Sequence, residues 1–124
     1  MRHILIIDDE PQILRLLSLV LSKKGYRVSA ADSGRRALEL LGSGSVDLVL
    51  TDIFMPDMDG LEMVMHCRQH HGDVPIVAMS GGGHQPGNLD GLAVAREMGA
   101  TAALAKPVDT VDLLDTVADL LEGG

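Results

Sequence analysis

The chain has almost no aromatic residues: Tyr26 and Phe54 are all there are among 124. A surface that binds single strands by stacking bases on aromatic rings is therefore excluded. Cysteine is nearly absent too. Cys67 stands alone, so no disulfide can form within the chain, which agrees with a reducing compartment. Basic residues are in the minority, 10 Lys and Arg against 18 Asp and Glu, for a formal net charge of -8. Phosphate contact needs a basic face, so this balance speaks against nucleic acid as a direct partner and favours a cation or a basic protein surface. No apolar run approaches the roughly 20 residues that a membrane helix needs. The N-terminal MRHILIIDDE has only a short apolar run, then three acids, and is not a signal peptide. The expectation is a cytoplasmic protein with no membrane partner.

What is present fits one compact domain, residues 1–124, with an apolar fraction of 46% that suits a globular core. The informative stretch is VDLVLTDIFMPDMDG, Val46 to Gly60. Leu48, Val49 and Leu50 read as a buried strand that stops at a carboxylate, Asp52. Pro56 forbids a continued strand, and Asp59-Gly60 reads as a turn into a helix.

The rest of the chain alternates in the same manner. His3 to Ile7 is apolar on both faces, the mark of an interior parallel strand, and stops at Asp8-Asp9-Glu10. Pro11 opens a helix with Ile13, Leu14, Leu17 and Leu21 at helical spacing, ended by Gly25. Arg27 to Ala31 is a weaker strand, suited to a sheet edge. Ser33 caps a helix carrying Ala37, Leu38 and Leu41, closed by Gly42-Ser43-Gly44. After the strand Val46 to Asp52, a third helix carries Leu61, Val64, Met65 and Arg68 and ends near His70-His71-Gly72. Pro75 to Met79 is a fourth strand, followed by a glycine-rich loop from Ser80 to Gly87. Leu89 to Met98 is a fourth helix capped by Gly99. Ala102 to Ala105 is a fifth strand, broken by Lys106-Pro107. Val108 to Leu121 is the last helix, with Val111, Leu114, Val117, Ala118 and Leu121 on its buried stripe.

Five strands alternating with five helices demand a parallel α/β sheet covered on both faces by right-handed crossovers. With strand order 2-1-3-4-5, the switch point lies between the first and third strands, and ligands bind at the strands' carboxyl ends. Those ends carry Asp8, Asp9 and Asp52, with Ser80 and Lys106 at the fourth and fifth. Three converging carboxylates repel one another unless one is protonated or a cation intervenes. Hard oxygen donors favour Mg²⁺. Lys106 offers a point charge to a phosphoryl oxygen and Ser80 a hydroxyl donor. Together these residues describe phosphoryl transfer to the Asp52 carboxylate.

Read over its whole length, the chain resembles the receiver domains of two-component response regulators, which have a flavodoxin-like fold. ILIIDDE, LVLTDIFMPDMDG, PIVAMS and GATAALAKP all stand where that family has its motifs. The resemblance implies a phosphorelay role, with Asp52 as phosphoacceptor and a sensor histidine kinase or histidine phosphotransfer protein as donor. It implies that Asp9 binds Mg²⁺ directly and Asp8 through water, with the Phe54 carbonyl as a further ligand. Ser80 and Lys106 should hold the phosphoryl group, and the Lys106-Pro107 bond should be cis. As it stands the chain reads as a free-standing, chemotaxis-regulator-like domain, not an enzyme in its own right beyond assisting its own phosphorylation and dephosphorylation. Output should then pass through contact with a downstream protein. Two features depart from the family. Ala103 holds a position usually aromatic, and the interval from Ser80 to Lys106 is long and opens with three glycines. The expected consequence is that phosphorylation orders Gly81 to Asn88 instead of moving an aromatic in the fifth strand.

Other readings stand beside these. Asp8, Asp9 and Glu10 could simply offset the positive end of the first helix. A Mg²⁺-dependent phosphatase with an aspartyl-phosphate intermediate would need a second acid and a substrate pocket, and Ile53-Phe54 supplies no acid. An interaction module keeping the fold without phosphorylation would not need the acidic set. His66 and His70 have an i, i+4 spacing that can bind metal, but no third ligand is evident, and a solvated helix end is expected. Cys67 is expected to be inert, Arg35-Arg36 to be a solvated face, and Met55 and Met58 to fill core or interface.

Overall fold

The computed structural model describes residues 1–53, 60–80, 96–97 and 99–122. Its elements in chain order are β1 (His3–Ile7), α1 (Pro11–Lys23), β2 (Arg27–Ala31), α2 (Gly34–Ser43), β3 (Leu48–Asp52), α3 (Gly60–His70), β4 (Ile76–Ser80), β5 (Ala102–Ala105) and α4 (Thr110–Leu121). The five strands form one sheet in the order β2-β1-β3-β4-β5, and every pairing is parallel. β1, β3 and β4 are buried along their whole length, whereas β2 and β5 at the edges are only partly covered.

The two-residue period of the strands divides the core. Ile4, Ile6, Leu48, Leu50, Val77 and Met79 face one way and pack on Leu17 and Leu21 of α1 and Leu113, Val117 and Leu121 of α4. Leu5, Ile7, Val49 and Ile76 face the other way and pack on Ala37 and Leu41 of α2 and Met63, Val64 and Cys67 of α3. Helices therefore cover both faces, as the alternating pattern requires. The expected helix Leu89 to Met98 lies outside the described residues apart from 96 and 97, which are helical. The expected loop Gly81 to Asn88 also lies outside them.

Most expected boundaries agree with the structure to within a residue or two. β3 starts at Leu48 instead of Val46, and β4 runs from Ile76 to Ser80, not from Pro75 to Met79. The last helix is the larger correction. Asp109 caps it, its carboxylate accepting from the main-chain N–H groups of Val111 and Asp112 at 2.8 and 3.1 Å, so the helix starts at Thr110. That phase turns Val111 outward, 64% exposed, and buries Leu113 together with the expected Val117 and Leu121, while Leu114 and Ala118 are half-buried. Ser33 caps α2 as expected, accepting from the Arg36 N–H at 3.2 Å, and Pro11 opens α1. The Lys106-Pro107 bond is cis.

Arg68 of α3 fastens the sheet's far edge. Its guanidinium donates to the carbonyls of Gly72, Val74 and Gly99 and to the Thr101 hydroxyl, at 2.7 to 3.1 Å. Gly99 has φ +120°, and a Cβ there would stand 3.0 Å from Arg68 Cγ. Gly99→Ala should therefore lower stability by roughly 1–3 kcal/mol, from backbone strain and a displaced Arg68. Gly42→Ala, on the exposed side of α2 with open space around it, should raise stability by up to about 0.5–1 kcal/mol. Denaturant melts of the two variants check the contrast, and equal midpoints would refute it.

Candidate functional site

Three polar side chains come together because they share the register and phase of their strands. Ile7 pairs with Thr51, so Asp8 lies one step further on beside Asp52. Asp8 follows the phase of Ile4 and Ile6, Asp52 that of Leu48 and Leu50, and Lys106 that of Ala102 and Leu104, all directed to the α1 and α4 side. The Lys106 N–H donates to the Ser80 carbonyl at 2.7 Å, extending the β4–β5 ladder by one residue. The result is an ammonium between two carboxylates: Lys106 Nζ donates to Asp8 Oδ2 at 2.7 Å and to Asp52 Oδ2 at 3.0 Å. The side chain of Asp8 is 0% exposed, that of Asp52 8% and that of Lys106 16%.

Each oxygen of Asp8 is committed. Oδ2 takes Lys106, and Oδ1 accepts from the Glu10 N–H at 2.9 Å, which also sets the entry into α1. Burial alone would lower the Lys106 pKa, but hydrogen bonds and charge attraction from Asp8 and Asp52 outweigh it and hold the lysine above its ordinary value.

Asp8, Asp9 and Glu10 can place one oxygen each within 4.8 Å of one another. Glu10 is the member that the sequence reading left out of the ligand set; its adjacency to the two aspartates was the available signal. Asp52 joins this group through Lys106. Of these four carboxylates, Asp8 and Asp52 meet the Lys106 ammonium, and the excess negative charge in hard oxygen donors suits a small dication. Ser80, 0% exposed, ends β4 in the phase of Ile76 and Ala78, opposite to the other three, and its carbonyl ties it to Lys106. Phe54 lies outside the described residues. Ala103 pairs with Ala78 in the sheet and is half-buried.

A family model described as the response regulator receiver domain matches residues 4–118. The chain belongs to that family. It is 36% identical over 120 residues to the transcriptional regulatory protein GlrR of Escherichia coli, covering 97% of this chain but 26% of that protein. It is 34% identical to sporulation initiation phosphotransferase F of Bacillus subtilis, covering 95% of this chain and 92% of that one. The chain thus spans about a quarter of the first relative and nearly all of the second. Among solved structures, response regulator TrrA of Thermotoga maritima, in complex with Mg²⁺ and BeF, superposes with a TM-score of 0.83 at 33% identity. That match covers 98% of this chain and all of TrrA. The receiver fold and its phosphorelay class are therefore those of this chain. Among the described residues, no helix is long and apolar enough to cross a membrane.

An apolar groove of about 380 Å³ adjoins the site. It is lined among others by Glu10, Ile13, Leu16, Lys106, Pro107 and Val108, with Leu16 48% exposed.

Proposed function

We propose that this receiver domain accepts a phosphoryl group on Asp52 from a phosphohistidine of a sensor histidine kinase or histidine phosphotransfer protein. The observation that carries the reading is the Lys106 ammonium held between Asp8 and Asp52 at the carboxyl edge of the sheet. An Asp52 oxygen attacks phosphorus as the phosphorus–nitrogen bond to the donor's imidazole breaks. Lys106 is already within reach of Asp52 and can follow the growing negative charge onto the phosphoryl oxygens. Ser80 supplies a hydroxyl donor from β4. In this reading the domain assists its own phosphorylation and dephosphorylation, and is not an enzyme acting on a separate substrate. All 124 residues form one domain, and the setting is cytoplasmic.

A Mg²⁺ ion fits the acidic edge, where it would neutralise phosphoryl oxygens. Asp9 reaches solvent and is suited to bind it directly, with Asp52 and the Phe54 carbonyl as further ligands. Asp8, with one oxygen on Lys106 and the other on the Glu10 N–H, is suited to act through water. Asp9→Ala should therefore weaken Mg²⁺ binding more than Asp8→Ala, for which an outer-shell loss of about 10–100-fold is expected. Calorimetric titration of both variants checks the order, and a weaker Asp8 variant would reverse the roles.

The protein donor must approach Asp52 across the strand ends, and the apolar groove beside Lys106 is the adjoining surface that such a partner can bury. Leu16→Asp should slow transfer from a phosphohistidine protein at least tenfold while leaving uptake from acetyl phosphate unchanged. Equal slowing with both donors would place the defect in the site instead of the docking face. Output follows by contact with a downstream protein. A net charge of -8 disfavours nucleic acid as a partner of these 124 residues. GlrR is a transcriptional regulator over a length four times that of the match, and what its remaining parts do belongs to that protein.

A further inference from the structure

Three imidazoles gather at the carboxyl end of α3, away from the acidic edge. His66 and His70 lie one turn apart on one face of the helix, with ring centroids 4.5 Å apart. His71 follows the helix directly. Its N–H donates to the Cys67 carbonyl at 2.7 Å, continuing the helical hydrogen-bond pattern by one residue, and its ring centroid stands 6.0 Å from that of His66. His71 is the nearest further imidazole, although as the side chains stand the nitrogens of the three rings do not all lie within 4.8 Å of one another.

The chemistry of this group is that of a metal chelate. Two imidazoles bound to one ion, each nitrogen at roughly 2.0–2.1 Å from it, hold their ring centres about 4.5–5.5 Å apart. The His66–His70 pair already has such a separation, and His71 needs a rotamer change to join it. The scaffold beneath is firm, because Arg68 donates from the same turn of helix to the carbonyls of Gly72, Val74 and Gly99. The helix's carboxyl end also favours a bound cation.

We propose that His66, His70 and His71 form a second metal site, for a borderline divalent transition ion of the Zn²⁺, Ni²⁺ and Cu²⁺ class. Imidazole nitrogen selects these ions, whereas Mg²⁺ selects carboxylate oxygen, so the two sites discriminate by ligand type. They are also separate in space. α3 follows β3 and runs back along the sheet, so its last turn lies a helix length, roughly 16 Å, from the strand ends that carry Asp52. A bound ion would join the last turn of α3 to the turn that leads into β4.

The test is a Zn²⁺ titration of the full chain, free of any affinity tag, with excess Mg²⁺ present to occupy the acidic edge. One equivalent of Zn²⁺ should bind, and it should raise the melting temperature. His66→Gln and His70→Gln should each weaken binding at least tenfold, and His71→Gln several-fold. Asp9→Ala should leave it unchanged. Zn²⁺ affinity equal to wild type in the His66→Gln/His70→Gln double variant overturns the site, as does loss of binding in Asp9→Ala. Should a variant fold poorly, electron paramagnetic resonance of Cu²⁺ on the wild-type chain decides instead. Two or three equatorial nitrogens support the site, and fewer overturn it.

Discussion

Asp52→Asn should take up no phosphoryl group under conditions in which the wild-type chain gains one. The exchange replaces a carboxylate by an amide of the same shape, so it removes the anionic nucleophile and leaves the surrounding packing in place. Lys106 retains Asp8, at 2.7 Å, as its partner. The variant should also be no less stable than the wild type. Two carboxylates, 0% and 8% exposed, share one ammonium, and removing one relieves their repulsion at the expense of one hydrogen bond. Stability given up at a reactive edge is often recovered when that edge is neutralised. Intact mass after incubation with Mg²⁺ and acetyl phosphate reads the first expectation, and a thermal melt in chelator reads the second. Labelling of the Asn variant equal to wild type would sink the assignment of Asp52. A variant that is unlabelled and also unfolded would leave the repulsion account wrong.

The residues at this edge were legible because each interrupts an apolar strand at its carboxyl end. Asp8, Asp52 and Lys106 announce themselves by ending runs such as ILII and LVLT. Period-two phase then brings them to one side of the sheet, a step that sequence alone permits once strand order is known. What they touch was less legible. Lys106 was expected to hold a phosphoryl group, and the structure adds its contacts with Asp8 and Asp52. Arg68 gave no sign of its role, because two of its four acceptors, Gly99 and Thr101, lie more than thirty residues away in the chain. The error at Val111 has a local cause. An apolar residue in the first turn of a helix fits the buried stripe or the exposed flank equally well until the cap residue fixes the phase, and Asp109 fixes it so that Val111 is exposed. Phe54 and the segment from Gly81 to Asn88, on which the expected output route rests, lie outside the described residues.

Lys106→Met should destabilise the domain more than any other single change at the site. Methionine keeps much of the lysine's length and apolar stem but removes the ammonium, leaving Asp8 and Asp52 side by side without the positive charge that each of them contacts. Breaking a buried ion pair by removing one partner costs about 3–5 kcal/mol. Against a total of roughly 5–15 kcal/mol for a domain, that is a large share. The melting temperature in chelator should fall by roughly 10 °C or more. The pH dependence has a definite sign. The folded-state pKa of Lys106 is raised, because the bonds to Asp8 and Asp52 outweigh burial. The stability it supplies is therefore complete below the ordinary lysine pKa and is lost as pH rises through the raised one. Wild type and variant should differ by a constant amount across the neutral range and converge only in strong alkali. Two rescues follow from the same cause. Adding Asp52→Asn removes one of the stranded charges and should recover part of the loss, a coupling that a double-mutant cycle reads directly. Mg²⁺ should raise the melting temperature of Lys106→Met more than that of the wild type, because at the acidic edge it replaces the lost positive charge. A Lys106→Met chain that melts within a degree or two of wild type in chelator would mean that the two carboxylates find other compensation, and the ion triad would not be what holds this edge together.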